Sequence, residues 1–284
     1  MEENKMKKIL SGKIVAEIKK NDLKIALEKL PRKLNLIIIH HNDPASLSYL
    51  KGRQKLADFL NINLIEKIIE EDTSEENILN WIENYNNDNQ IDGIIVDRPL
   101  PKKYNEEKII SKIDFNKDVD GFNFYNLGRL ISNYKSFKSC TPAAAIELIK
   151  YYKYDLNGKN ALVIGRSVNV GKPLALMLLN ENATVTIAHS KTQNLKKITK
   201  KADIIFLAIG KAKFLTKDMV KRNTIVIDIG INFDENNKLC GDADKQIYDY
   251  IRSYSPVPGG VGVLTNIMLM ENLLLSYKMR HQNG

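Results

Sequence analysis

Seven short apolar runs constrain the fold of this chain more than any other feature. They are LNLIIIH (34–40), NLIEKII (63–69), GIIV (93–96), ALVIG (161–165), TVTIAH (184–189), DIIFLAIG (203–210) and TIVIDIG (224–230). LNLIIIH and ALVI have the length and branching of buried strands, the first bounded by Pro31 and by Asn42-Asp43-Pro44, and the remaining runs read as strands. Helical or turn segments separate them, and strand–helix alternation of this kind yields parallel βαβ units, not a meander. The expected fold class is α/β: two α/β domains, the second a Rossmann-type parallel sheet, with a cleft between them where ligands commonly bind.

The remaining punctuation places the other elements. A helix is expected near residues 8–29, and Asp43 with Pro44 reads as the cap and first turn of a helix ASLSYLKGRQKLADFL. Thr73 is the expected cap of SEENILNWIENYN. DFNKDVDGFNFYNLGRL (114–130) reads as loop-rich, and a helix starts near Pro142, with a domain boundary at about 141–150. SPVPGGVGVLT (255–265) carries too much proline and glycine for a regular element, and 265–279 reads as a long amphipathic helix.

Composition narrows the function classes. A net charge of +9 admits an anionic partner. The lysines are scattered, however, and LKKITKKAD and KMKK interleave no aromatics, so a nucleic-acid partner is not expected. No apolar run approaches bilayer length, and the N-terminus lacks a secretory pattern, so a cytoplasmic protein without membrane association is expected. Two cysteines, Cys140 and Cys240, fit a reducing compartment, and four histidines without ligand spacing predict no metal.

NALVIGRSVNVGKP (160–173) is the strongest chemical signal. An apolar strand ends at Gly165, and Gly171 precedes a helical pattern. A strand, a glycine turn and a helix N-terminus present backbone N–H groups and the positive end of a helix dipole to an anion, commonly a dinucleotide pyrophosphate. The next strand runs into Ser190-Lys191-Thr192 without the acid that would hold a ribose 2′-hydroxyl. Arg166 stands beside the turn, so NADP is the expected cofactor.

In the first unit, Tyr49 and Arg53 are four apart on one helix face. Asp97 lies just past a strand end, the edge where open α/β sheets place ligands. Asp118 and Asp120 share a glycine-terminated loop, one free to bind a ligand and the other to cap backbone. Cys140 reads as a buried spectator.

These strings, with KDVDGF, CTP, VIDIGIN, GDAD and PVPGGVGVLT in order, resemble the methylenetetrahydrofolate dehydrogenase/methenyltetrahydrofolate cyclohydrolase family across essentially the whole chain. The resemblance implies a folate-binding catalytic domain (1–142 plus 263–284), an NADP-binding Rossmann domain (143–262), tetrahydrofolate derivatives as substrates, and a homodimer. It implies that Gly165, Arg166, Ser167, Ser190 and Ile231 contact NADP. It likewise implies that Tyr49 lies against the folate, that Asp120 holds the pterin, and that Pro258, Gly259 and Gly260 form a loop beside it. Two departures stand out: Arg53 replaces the catalytic lysine of Tyr-x-x-x-Lys, and Asp97 with Arg98 replaces glutamine and an apolar neighbour. Hydride transfer needs alignment and no base, whereas hydrolysis of the methenyl product needs a proton moved. An arginine is a poor base. The expectation is therefore an ion pair between Arg53 and Asp97, a retained dehydrogenase and a weak or absent cyclohydrolase. A dehydrogenase-only enzyme and a silent folate-binding paralogue are the alternatives.

Overall fold

In the computed structural model, which describes residues 8–42 and 44–281, the chain divides into two compact units. One holds a six-stranded sheet and takes residues up to Glu17 together with Thr141–Thr265. The other holds a three-stranded sheet and takes Ile18–Cys140 together with the segment from Asn266. In chain order the first elements are β1 (Lys8–Ile9) and α1 (Gly12–Glu28). The expected helix at 8–29 therefore starts later. Lys8 and Ile9 pair in parallel with Ser253 and Tyr254, which assigns the N-terminal segment to the six-stranded unit and not, as its sequence position suggests, to the other.

The three-stranded unit contains β2 (Asn35–His41), α2 (Pro44–Leu60), β3 (Asn63–Ile69), α3 (Glu75–Asn87), β4 (Gly93–Val96), α4 (Glu106–Lys112) and α5 (Phe124–Ile131). Its sheet has the order β3-β2-β4 and is parallel throughout, with Ile37 opposite both Ile65 and Ile94. Ile37, Ile39, Ile94 and Val96 pack with Ile78 and Ile82 of α3 in one buried cluster. A central strand covered on both faces explains the unbroken apolar run of β2. The cap of α3 is Ser74, whose side chain accepts from the Asn77 N–H; Thr73 instead accepts from the Glu70 N–H at 2.9 Å. One residue decides this, because the side chain that caps is the one leaving the extended region at the helix start. Asp43, the expected cap of α2, lies outside the described residues. The 114–130 stretch carries helix α5, started by Asn123, whose side chain accepts from the Tyr125 N–H.

The six-stranded unit continues with α6 (Cys140–Tyr151), β5 (Asn160–Ile164), α7 (Gly171–Asn180), β6 (Thr184–Ala188), α8 (Leu195–Thr199), β7 (Ile204–Leu207), β8 (Ile225–Asp228), β9 (Asn232–Phe233), β10 (Leu239–Cys240), β11 (Ser253–Tyr254) and α9 (Gly262–His281). Its sheet has the order β1-β11-β8-β7-β5-β6, all parallel. Leu162, Ile164, Ile205, Leu207 and Val226 form its buried centre. The unit boundaries fall inside α1 and α9, and α9 starts earlier than its sequence pattern suggests. From Asn266 onward α9 is part of the three-stranded unit, where Asn272 Nδ2 donates to the Val119 and Lys138 carbonyls at 2.8 and 2.9 Å.

Candidate active site

In the six-stranded unit the strand-to-helix turn is built by two glycines. Gly165 has φ +132°, and a β-carbon there would stand 2.3 Å from the Ala208 carbonyl oxygen. A β-carbon on Gly171 would stand 2.2 Å from the Gly165 carbonyl oxygen. Only side-chain-free residues let the start of α7 approach the strand end this closely. Ser167 Oγ accepts from the Val170 and Gly171 N–H groups at 3.2 and 3.3 Å, which fixes the entry to α7.

Register places the next two candidates. Ile164 pairs with Ala188, and the Gly165 N–H donates to the Ala188 carbonyl at 2.9 Å. Arg166 and Ser190 each lie two residues beyond that pair, so they emerge together at the carboxyl ends of adjacent strands, both exposed. The turn holding Ser190 is closed by Thr192, whose Oγ1 accepts from the His189 N–H at 2.8 Å. No acidic residue occurs from Ala188 to Asn194. The glycine cradle, the positive end of α7 and an exposed guanidinium and hydroxyl at neighbouring strand ends fit NADP: the pyrophosphate meets the helix dipole, and a 2′-phosphate meets no carboxylate.

Two buried acids that the sequence reading left without a role shape the neighbouring loops. Asp242 accepts from the Ile209, Gly210 and Lys211 N–H groups at 2.9, 3.2 and 2.7 Å. Asp228 accepts from the Gly230, Asp242 and Ala243 N–H groups at 3.0, 3.0 and 2.8 Å. Burial pushes the Asp228 carboxyl up to about 6, against those donors. The loop they hold presents Ile231, half exposed, beyond β8. The signal for these acids was the pair of strings VIDIG and GDAD, but nothing in either string says that they interlock. Pro258, Gly259 and Gly260 also belong to this unit, and the Gly259 carbonyl accepts from the Gly12 N–H at 2.8 Å.

In the three-stranded unit, β4 delivers Asp97 to the sheet edge, where its N–H donates to the Ile39 carbonyl at 2.9 Å. α2 carries Tyr49, half exposed, and one turn later Arg53. Arg53 Nη1 donates to Asp97 Oδ1 at 2.5 Å, with both side chains largely buried. Asp97 Oδ2 and Arg53 Nε are buried without a hydrogen-bond partner. Unsatisfied polar atoms of this kind are costly in a folded protein and are expected where a ligand supplies the missing partner.

Asp118 and Asp120 separate cleanly. Asp118 is fully enclosed and accepts from the Gly121 and Asn123 N–H groups at 3.1 and 2.7 Å and from Asn126 Nδ2 at 2.9 Å. It is the loop's internal cap, with burial pushing its carboxyl up to about 7 against Asn126 and Asn123. Asp120 keeps a quarter of its side chain exposed and lies 4.0 Å from Arg98 Nη2. Desolvation raises its carboxyl, while Arg98 first and Arg53 second pull it down. Cys140 sits beside it, its thiol pushed well up by burial and by Asp120. The three-stranded unit thus gathers Arg53, Asp97, Arg98 and Asp120.

Two family models match the chain. "Tetrahydrofolate dehydrogenase/cyclohydrolase, catalytic domain" covers residues 7–120, and "Tetrahydrofolate dehydrogenase/cyclohydrolase, NAD(P)-binding domain" covers 139–281. A relative from Campylobacter hominis, "Bifunctional protein FolD", is 47% identical, covering 96% of each chain. A crystal structure of bifunctional FolD from Campylobacter jejuni superposes with a TM-score of 0.93 at 38% identity, covering 96% of this chain and 99% of that one. The FolD structure from Trypanosoma brucei, complexed with NADP cofactor and inhibitor, gives 0.89 at 27% identity over 96% of this chain and 98% of that one.

Proposed function

The chain belongs to the tetrahydrofolate dehydrogenase/cyclohydrolase family, and from that premise we propose that it oxidises methylenetetrahydrofolate to methenyltetrahydrofolate with NADP, with hydrolysis of the methenyl product curtailed by Arg53. The observation that carries the cofactor assignment is the acid-free glycine turn, with Arg166 and Ser190 at adjacent strand ends. Bound NADP supplies the hydride acceptor.

The chain's own residues bind and orient. The glycine turn and the positive end of α7 receive the pyrophosphate, Arg166 and Ser190 take the 2′-phosphate, and Gly165, Ser167 and Ile231 line the cofactor. In the other unit Asp120 accepts from the pterin and Tyr49 lies against its ring. Loss of hydride leaves a cation shared by two folate nitrogens, so this step needs alignment and no base. Hydrolysis differs, because water must add to the cationic carbon and give up a proton. A guanidinium keeps its proton under these conditions, where a buried lysine can release one. Asp97 is the remaining base candidate in the pair, and its Oδ1 is engaged by Arg53.

Purified protein is expected to reduce NADP only when methylenetetrahydrofolate is present, and NAD far more slowly. Tight binding of both ligands without turnover would instead identify a silent folate-binding paralogue. We further propose a cytoplasmic homodimer, as the family resemblance implies; light scattering on the purified chain tests the assembly. Among the described residues no helix is long and apolar enough to cross a membrane.

A further inference from the structure

We propose that Arg98 is a positioning residue for the folate reaction, its guanidinium clamped over Phe122 so as to fix the Asp120 carboxylate toward the pterin. The inference rests on the reading of Asp120 as the pterin-holding acid. Arg98 follows Asp97 directly at the end of β4, and its side chain is only 11% exposed. Its guanidinium carbon stands 3.7 Å from the centroid of the Phe122 ring, itself buried. One nitrogen, Nη2, lies 4.0 Å from Asp120 Oδ2; the other, Nη1, lies 3.8 Å from Glu106 Oε1. Glu106 is anchored in turn, its Oε2 accepting from the Leu100 N–H at 3.1 Å. A flat cation held by a ring on one side and a fixed acid on the other has little freedom left. It therefore restrains Asp120 instead of following it.

The charges facing Asp120 explain why such a restraint matters. Arg98 and Arg53 favour the carboxylate, whereas Asp97, Asp118 and the desolvation of the site oppose it, and the Cys140 thiol, which donates to the Val119 carbonyl at 3.7 Å, lies beside it. Removing Arg98 takes away the largest favourable charge. The acid then protonates at higher pH and loses its acceptor role toward the pterin N–H groups.

The test compares steady-state dehydrogenase kinetics of wild type, Arg98→Met, Arg98→Lys, Asp120→Asn and the Arg98→Met/Asp120→Asn double variant across pH. Arg98→Met is expected to raise KM for methylenetetrahydrofolate about tenfold at neutral pH, with a smaller change in kcat and an unchanged KM for NADP. The rise of KM toward acid pH is expected to begin at higher pH than in wild type, Arg98→Lys to recover part of the effect, and Arg98→Met to add nothing on the Asp120→Asn background. The unchanged NADP constant reports that the variant is folded. A KM effect of Arg98→Met that is absent, independent of pH, or additive with Asp120→Asn would overturn the proposal. An Asp120→Asn variant with wild-type folate kinetics would instead overturn the underlying reading of Asp120.

Discussion

Arg53 Nη1 donates to Asp97 Oδ1 at 2.5 Å, joining a turn of α2 to the residue just past β4. The two departures from the family pattern are therefore one structural unit. Where the family resemblance implies lysine beside a neutral amide, this chain has arginine beside a carboxylate, so an acid balances the permanent cation. The pair keeps one carboxylate oxygen and one guanidinium N–H buried and unmatched, the arrangement a bound substrate or water would complete.

The first consequence is catalytic. Restoring the family pair with Arg53→Lys/Asp97→Gln is expected to raise methenyltetrahydrofolate hydrolysis by about tenfold or more relative to dehydrogenation, because general acid–base help is typically worth that and beyond. Hydrolysis above the buffer rate and NADP reduction are measured on the same preparations. Robust hydrolysis by wild type that survives Asp97→Asn would sink the assignment.

A second consequence concerns stability. Asp97→Ala strands a largely buried guanidinium, and breaking such a pair costs about 3–5 kcal/mol. Replacing both partners with apolar residues is expected to cost much less, since no lone charge is left behind. Chemical denaturation of the two variants distinguishes a true buried pair from two independently hydrated groups.

Cofactor choice gives a third test. Arg166→Ala is expected to lower kcat/KM for NADP by roughly 10- to 100-fold while leaving the slow reaction with NAD nearly unchanged, as a charge-assisted contact to a 2′-phosphate is lost. Equal losses with both nucleotides would move Arg166 from the phosphate to general turn stability.

The fourth expectation is a pH dependence. The folded state raises the Asp118 carboxyl from 3.8 to about 7, so the folded chain holds this proton more tightly than the unfolded one. Its contribution to stability is complete below the unfolded value and is lost as pH rises through about 7. The stability of wild type relative to Asp118→Asn should therefore fall between about pH 4 and pH 7, read from melting curves taken in parallel. A flat difference would mean that the donors from Asn126 and Asn123 fully offset burial.

The α/β class, the parallel sheets and the glycine turn were legible in the chain because they are local. β-branched runs, their lengths and two glycines at a strand end are constrained by neighbours a few residues away. Arg166 and Ser190 were each legible as residues past a strand end, but the β5–β6 register is what sets them on adjacent strands. The cap of α3 lies one residue beyond the expected Thr73, because Thr73 and Ser74 are equivalent as letters and only the backbone conformation selects between them.

Apart from the Arg53–Asp97 pair, which the two departures from the resembled pattern implied together, contacts between distant positions were invisible in the sequence. Lys8 and Ile9 look like a helix start, yet they form a sheet edge against a strand some 245 positions later in the chain. Asp118 and Asp120 are interchangeable in the string KDVDGF. One turned inward to cap its own loop and the other was left beside Arg98, because only folding decides which carboxylate has N–H donors within reach. Local propensity and periodicity set the elements; the pairing of charges from α2, the β4 edge and the following loop was set by how those elements pack.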